Sequence, residues 1–526
     1  MDKKRKYIVS GVAVFLVLCL TGVYIWYHKR VILSSDSTTM LPVAIDLMHG
    51  NVLLKDWVLG TNNFFFSETI FYIPGLLLGI SAHKLLIFIP AITIAAFIAL
   101  SAYVFIWKDK RCESVRDNII TTVLYVLITG SVAYQTAYTL LNANSHNGVY
   151  LFITVEILLV FLYIRDNRKK YIIIYTVIGA LMLFSDGVYL MALIAPVCAM
   201  SCYYILVGFI KKEKEKTVTY IWVFGATVVS FIAGKLIGVV LHAAGGLETR
   251  GIPMHVVSLK EAVHRLFEYK NQVLTMWGYN VSYNSLTEMI YNSVVIIILV
   301  ATAIVFIYQI VDIIKGRIDT LRLILWLIVF FNIAGCLFTD TVIFYRYIVP
   351  SYLYGTMLVV LAVRTLLSKL KDVKEVYIST GIVLLACSLL VSVYRFSDAA
   401  EKPGNIMQDR QDIAQYIIDN NLGNGYGDFW IASVVSCYTD YKNDIYPIVS
   451  NENGLNSYVE LINNKWYEQK DMHYIITNAD DANNLFCKKE QAVAAIGEPD
   501  RQQVIGTFEI MYWNKDISDY VKVQSE

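Results

Sequence analysis

"MDKKRKYIVSGVAVFLVLCLTGVYIWYHKR", residues 1–30, combines a basic head, an apolar run and a second basic cluster. The apolar run is about 20 residues long, which is typical of a transmembrane helix. No small-residue cleavage site follows it, so we interpret it as an uncleaved signal anchor. Apolar runs divided by short charged clusters continue along the chain, and this pattern predicts an α-helical protein that crosses a membrane many times.

The composition and the charge distribution agree with that interpretation. Of the 526 residues, 56% are hydrophobic and 17% are charged, and the mean hydropathy is +0.53; soluble domains are about 25% charged. The net charge of +1 hides an asymmetry, because residues 397–526 hold 10 basic and 21 acidic residues whereas the rest holds 34 and 22. The basic residues lie between apolar runs, so we expect contact with the lipid bilayer and no nucleic-acid partner.

Eleven membrane spans are predicted from the apolar runs. They lie near 8–27, 85–107, 118–140, 148–164, 171–184, 188–210, 217–240, 290–311, 321–339, 345–364 and 376–395. Basic clusters fall in alternate connections, which the positive-inside rule places in the cytoplasm. The N-terminus is therefore predicted inside. Residues 1–396 are predicted to form the multi-span membrane domain, with loops at 28–84 and 241–289 on the outer side. Residues 397–526 are predicted to form a soluble domain on the same side.

One apolar segment is not predicted to span. "ETIFYIPGLLLGI", residues 68–80, has only 13 residues and contains Pro74 and Gly75. This is too short for the hydrocarbon core, so we expect it to lie on or dip into the outer face.

The stretch "SSDSTTMLPVAIDLMHGN", residues 34–51, follows the first span and predicts a short helix over 37–49. Ser37 or Thr39 is the expected N-cap, and Gly50 the expected stop. Apolar side chains share one face, with His49 on the other, so the helix is expected to lie flat on the outer leaflet. Asp36 precedes it, at the interface. A carboxylate at this position either caps the helix and faces water, or it takes part in a reaction at the membrane interface.

The order of these elements resembles the GT-C superfamily of integral-membrane glycosyltransferases, which use polyprenyl-phosphate sugars. In that superfamily an acid early in the first outer loop is followed by a juxtamembrane helix and a second short segment before span two. Here Asp36 matches the acid, "AIDLMHG" the helix end and "FYIPGLLLGI" the second segment. The second acid of the usual pair is replaced by Ser37. The match covers residues 8–107, and the later spans agree in layout.

The resemblance implies transfer of a sugar from a polyprenyl-phosphate donor to a glycan, lipid or protein acceptor at the outer face, with inversion. Asp36 would then be the general base. Arg346, in "TDTVIFYRYIVPSYLYG", would bind the donor phosphate, because arginine holds phosphate oxygens with two N–H groups. Lys84 is the second candidate for the phosphate. For Arg346 the alternative is a guanidinium that reaches lipid headgroups among interfacial tyrosines.

Other polar residues at the predicted outer side are candidate contacts for the acceptor or the sugar. They are Asp186 in "FSDGVYL", Asn142, Asn144 and His146 in "LNANSHNG", and His49. Ordinary turns and loops explain the same residues, since Asp-Gly is a common turn pair. No metal is assigned, but a divalent cation held by Asp36, Asp56 and Glu68 stays open.

The predicted outer domain is expected to be a small α/β or α+β domain. An amphipathic helix over 404–421, strands at 444–450, 472–478 and 507–514, and a helix near 488–496 are expected. Cys437 and Cys487 would pair only in an oxidising compartment and with suitable geometry. In the loop 241–289, "LKEAVHRLFEYKNQVLTMWGYN" predicts another amphipathic surface helix.

Three other classes of protein remain open at this point. A multi-span transporter or flippase would need charges lining a path, and no repeated halves are evident. An O-antigen polymerase or ligase-like enzyme usually carries catalytic Arg and His in a long late outer loop, whereas here the acid is in the first. In a non-catalytic sensor, the acidic outer domain would carry the function.

Overall fold

The computed structural model describes residues 3–523 except 108–114, 131–132, 252–253, 280–284, 370–390 and 453. Long helices fill the first two thirds of the chain, and a mixed sheet with three helices forms the last part. The long helices are α1 (Lys3–His28), α5 (Ala82–Ser101), α6 (Val115–Gly130), α8 (Asn147–Asp166), α9 (Lys169–Ser185), α10 (Ala195–Lys211), α11 (Lys214–Ala243), α12 (Leu259–Met276), α13 (Leu286–Ile314), α14 (Thr320–Phe338) and α15 (Tyr345–Lys369).

Seven helical segments among the described residues are long and apolar enough to cross a membrane. They are Ala82–Trp107, Asn147–Asp166, Leu190–Lys211, Lys214–Ala243, Glu288–Ile314, Thr320–Phe338 and Tyr345–Thr365, and each corresponds to a predicted span. Apolar side chains also face outward on these helices. On α13, for example, Ile297, Ile304 and Ile307 are 61–66% exposed, as expected for a helix face that contacts lipid rather than a protein core.

The other four predicted spans differ from this pattern. The span at 118–140 is broken, because α6 and the helix α7 (Tyr134–Leu141) meet at 97°. The span at 171–184 is a 17-residue helix, α9, which packs against α11. The span at 8–27 is helical within α1. Most of the span at 376–395 lies outside the described residues, and a helical stretch over 391–399 includes its last five residues.

The first predicted outer loop folds into short elements. It contains α2 (Ser35–Thr38), α3 (Met40–Met48), the strand β1 (Trp57–Leu59), a single 3₁₀ turn at Thr69–Phe71 and α4 (Ile73–Leu77). The segment 68–80 therefore makes no long helix. Leu77 and Leu78 are 70% and 78% exposed, in agreement with an element at a surface.

A second short helix-rich region follows α11. The strand β2 (Glu248–Thr249) precedes α12, which begins at the N-cap Ser258. Tyr269 and Met276 are buried on one side of α12, whereas Leu259 and Phe267 are exposed on another. The predicted amphipathic helix is thus present and packs against α14 and α15.

The C-terminal region is built around a seven-stranded sheet. Its strands are β3 (Gly425–Asp428), β4 (Ile445–Asn451), β5 (Gly454–Ser457), β7 (Tyr474–Asn478), β8 (Arg501–Ile505), β9 (Phe508–Tyr512) and β10 (Val521–Lys522), in the order β10-β5-β4-β3-β7-β9-β8. The three central strands are parallel, and antiparallel neighbours flank them. Three helices accompany the sheet: α16 (Glu401–Asp419), α17 (Phe429–Tyr438) and α18 (Lys489–Ile496).

The predicted helices and strands of this region are present, but the helix α17 and the strands β3, β5, β8 and β10 were not predicted. The α17 sequence "FWIASVVSCY" is almost uniformly apolar, and every residue from Phe429 to Cys437 except Trp430 is buried. A uniform apolar run carries no helical periodicity. Cys437 and Cys487 are buried free thiols in separate clusters of the core.

A small sheet joins the three regions that are predicted to lie outside. β1 pairs with β2 from the second outer loop and with β6 (Ile462–Asn463) from the C-terminal region. Trp57 packs edge-on against Trp466 with 5.2 Å between ring centroids. The C-terminal region is therefore docked onto both loops.

Candidate functional site

Asp36 occupies the first turn of α2, so it lies inside a helix rather than before one. Thr39, one of the two predicted N-caps, is the N-cap of α3 but makes no side-chain capping bond. Ser34 is the N-cap of α2. Its hydroxyl accepts from the Ser37 amide at 3.3 Å, and the Ser37 hydroxyl accepts from the Ser34 amide at 3.2 Å. This reciprocal pair is a capping box. Because Ser34 satisfies the helix end, the Asp36 carboxylate is not needed as a cap.

The Asp36 carboxylate is partly buried and accepts no hydrogen bond from any described residue. Burial raises the pKa of Asp36, the nearby Arg346 guanidinium lowers it, and the Glu460 carboxylate raises it again. The net shift is upward, because a desolvated carboxylate holds its proton more tightly. A carboxylate with free oxygens and a raised pKa is suited to accept a proton.

Arg346 lies in the first turn of α15 and approaches Asp36 from a distant part of the chain. Its guanidinium carbon is 5.6 Å from the ring centroid of Phe344 and 5.8 Å from that of Tyr347. Within the described part of the chain it makes no hydrogen bond and no ion pair within 4 Å. Its N–H groups therefore remain available to a ligand.

The turn before Arg346 is held by α12. Arg265, buried on α12, donates from Nε and Nη2 to the Cys336 carbonyl at 3.1 and 3.0 Å, and also donates to the Thr341 carbonyl. These bonds satisfy carbonyls at the end of α14. Arg265 thus fixes the connection from which Arg346 emerges, a role with no signal in the sequence beyond the amphipathic pattern of α12.

Two regions distant in sequence complete the surroundings of Asp36. Tyr138 of α7 lies near the Ser34 side chain and interacts electrostatically with Asp36 and Arg346. Tyr458 and Glu460 of the C-terminal region also lie within electrostatic range of Asp36. None of these three was predicted as a site residue.

A second polar cluster lies close to Asp36 and unites four of the predicted residues. His146 Nδ1 and Asp186 Oδ2 are 2.6 Å apart, and both side chains are buried. Glu68 accepts from the amides of Asn144 and Asn147 at 2.6 and 2.9 Å. Glu68 lies near enough to His146 and Asp186 to interact with their charges.

This cluster shapes the loop that touches Asp36. Asn144 and His146 have positive φ angles of 63° and 68°, which cost free energy in residues with a side chain. Asn144 Nδ2 donates to the Asp36 carbonyl at 3.2 Å. At the start of α8, a Cβ on Gly148 would overlap the Ser67 carbonyl, so only glycine permits this close approach.

Burial controls the protonation of Glu68. It raises the pKa of Glu68 to about 7, although the two amide bonds and the His146 charge act in the opposite direction. Asn142 is buried beside this loop and donates to the Ile32 carbonyl at 3.4 Å. Both residues therefore support the loop rather than face an open site.

Three other predicted residues lie elsewhere. Lys84 is exposed in the first turn of α5, and His49 is exposed at the end of α3. Asp56 forms an ion pair with Lys465 at 3.0 Å. Asp36, Asp56 and Glu68 do not form a metal site, since no group of three His, Cys, Asp or Glu residues that could hold a metal occurs in the described ranges.

Comparison with known proteins adds no assignment. No protein-family profile and no curated protein matches the chain. The resemblance to glycosyltransferases rests on the residues quoted above and on nothing else.

Proposed function

We propose that this protein transfers a sugar from a polyprenyl-phosphate donor to an acceptor hydroxyl at the outer face of the membrane. One observation carries the proposal: the Asp36 carboxylate and the Arg346 guanidinium lie within electrostatic range of each other, and neither forms a hydrogen bond with a described side chain. A base and a phosphate-binding cation are the two groups that such a transfer requires.

The reaction proceeds by displacement at the anomeric carbon. The acceptor oxygen forms the new glycosidic bond and releases its proton to Asp36. The bond between the anomeric carbon and the phosphate oxygen breaks, and its electron pair leaves with the lipid phosphate. Arg346 stabilises the charge that grows on this leaving group.

The proposal is tested with purified protein and a panel of radiolabelled polyprenyl-phosphate sugars. Asp36→Asn is expected to keep donor binding and to lower turnover by about 100-fold or more, as expected for loss of a general base. Arg346→Ala is expected to weaken donor binding by about tenfold or more.

Two matched variants control for charge and for folding. Asp519→Asn removes an exposed carboxylate of the C-terminal region, and Arg250→Ala removes an exposed guanidinium of the second outer loop. Both should behave as the unsubstituted protein. If folded protein binds no donor of the panel, the transporter and sensor hypotheses gain weight. A transport hypothesis would start from Glu156, whose buried carboxylate in α8 has no hydrogen-bond partner in the described structure.

A further inference from the structure

A cleft of about 350 Å³ opens where α7, α12, α13 and the helical stretch 391–399 converge. Side chains that line it include Tyr134, Thr275, Tyr279, Tyr291, Arg395 and Phe396. Phe396 also packs against Tyr27, with 4.6 Å between ring centroids. The cleft therefore adjoins the end of α1 that leads to α2, and neither Asp36 nor Arg346 is among the described residues that line it.

Arg395 is the charged residue among the described residues that line this cleft. Its guanidinium carbon is 4.8 Å from the ring centroid of Tyr291. Its Nη1 is buried and has no hydrogen-bond partner within the described structure. No acidic side chain is among the described residues that line the cleft.

The neighbouring hydroxyls of Tyr291 and Thr275 make no hydrogen bond with the Arg395 Nη1 group. The Tyr291 hydroxyl donates to the Trp277 carbonyl at 2.6 Å, and the Thr275 hydroxyl donates to the Asn271 carbonyl at 3.0 Å. A buried cationic N–H without an acceptor is costly. An anion that accepts from this N–H would remove that cost.

We propose that the cleft binds a phosphate group, carried by a lipid headgroup or present as free phosphate. The guanidinium donates to the phosphate oxygens in the geometry that arginine and phosphate share. The aromatic rings of Tyr134, Tyr279 and Phe396 contact the remainder of the ligand. This proposal does not depend on the sugar transfer, because it concerns binding at a separate guanidinium.

The test measures binding to the purified full-length protein in non-ionic detergent by native mass spectrometry. The probes are phosphatidylglycerol and, as a lipid without phosphate, diacylglycerol with the same acyl chains. The unsubstituted protein is expected to retain phosphatidylglycerol and not diacylglycerol. Arg395→Gln is expected to weaken retention by about tenfold or more, whereas Arg250→Gln, at an exposed arginine, should not.

A second variant leaves the guanidinium in place. Thr275→Trp fills the cleft, so it should displace phosphatidylglycerol as Arg395→Gln does. It also provides the test if Arg395→Gln fails to fold. The proposal would be overturned by two results together. The unsubstituted protein and both folded variants would retain phosphatidylglycerol equally, and any displacement of the lipid by inorganic phosphate would not depend on Arg395.

Competition separates the two sources of phosphate. If millimolar inorganic phosphate displaces the lipid from the unsubstituted protein, and Arg395→Gln abolishes that effect, the cleft accepts free phosphate. If the lipid stays bound, the headgroup is the ligand. Asp36→Asn and Arg346→Ala should retain the lipid normally, so a failed sugar-transfer assay leaves this result unaffected.

Discussion

Asp36 acquires its properties from one near neighbour in the sequence, Ser34, and from two residues remote in the sequence, Arg346 and Glu460. Ser34 caps α2 and releases the carboxylate from that task. Arg346 lowers the pKa of Asp36, and Glu460 raises it. The protonation of this carboxylate therefore depends on α15 and on the C-terminal region, and it can be changed without altering α2.

Glu460→Gln is expected to shift the acid limb of the activity profile to lower pH. A general base works only when it is deprotonated, so activity falls as the pH drops through the pKa of Asp36. Removing the Glu460 charge lowers that pKa. The measurement is kcat/KM against pH in the sugar-transfer assay. An unchanged limb, or the same shift in Glu452→Gln at an exposed site, would contradict this role.

The raised pKa of Glu68 predicts that the stability of the folded protein depends on pH. Its pKa rises from an ordinary value of 4.5 to about 7 in the folded protein, so the folded state holds the proton more tightly than the unfolded chain does. The stabilisation is fully present below about pH 4.5 and is lost as the pH rises through about 7, with a magnitude of roughly 3 kcal/mol.

The check is the Tm of detergent-solubilised protein across this pH range. The Tm of the unsubstituted protein should fall as the pH rises from about 5 to about 7. The Tm of Glu68→Gln, whose side chain cannot ionise, should fall less over the same range. Gln keeps one of the two amide bonds, so its Tm should also be lower at acid pH. Parallel Tm curves for the two proteins would rule out this assignment.

The element that connects the two halves of the protein is α17. It packs against α2, where the Ser35 hydroxyl donates to the Phe429 carbonyl and the Tyr441 hydroxyl to the Thr38 carbonyl at 3.2 Å. Arg410 of α16 bridges the same junction. Its Nη1 donates to the Leu33 carbonyl at 2.7 Å and its Nη2 to the Trp430 carbonyl at 2.9 Å.

Arg410→Met is expected to weaken the docking of the C-terminal region. Burial lowers the pKa of Arg410 to about 10, but it stays charged near neutral pH, and each charge-assisted bond contributes about 1.5–3 kcal/mol. Limited proteolysis should release the C-terminal region faster than in the unsubstituted protein. Arg501→Met, at an exposed arginine of β8, is the control, and equal release from both variants would argue against the bridge.

The molecule as a whole consists of a bundle of long apolar helices and a C-terminal region built on a mixed sheet. The two loops at 28–84 and 241–289 are joined to the C-terminal region. β1, β2 and β6 form one sheet, so the two loops and the C-terminal region must lie on the same side of any membrane. The distribution of basic residues predicts that this side is the outer one.

Cysteine labelling in intact cells tests this orientation. Gln502→Cys lies at an exposed position of β8, and Lys212→Cys at an exposed position after α10. A membrane-impermeant maleimide should label the first and spare the second, with the unsubstituted protein as background. The reverse pattern would place the C-terminal region in the cytoplasm and would remove the outer-face reaction.

The positions of the helices are largely evident from the amino-acid sequence. Apolar length and the spacing of side chains are local properties, so seven predicted spans match long apolar helices. The bend between α6 and α7 and the helix α17 were not predicted, because apolar runs show where a chain is buried but not its direction or, when uniform, its periodicity.

The arrangement of the candidate site, unlike the positions of the helices, is not evident from the amino-acid sequence. Asp36 and Arg346 were identified by residue type and position, but their proximity, and that of Tyr138 and Glu460, depends on how α2, α7, α15 and the C-terminal region pack. Contacts between residues remote in sequence arise from packing of complementary surfaces, which no local pattern encodes. The sequence thus specified the chemistry of the separate groups, and the tertiary structure decided which of them meet.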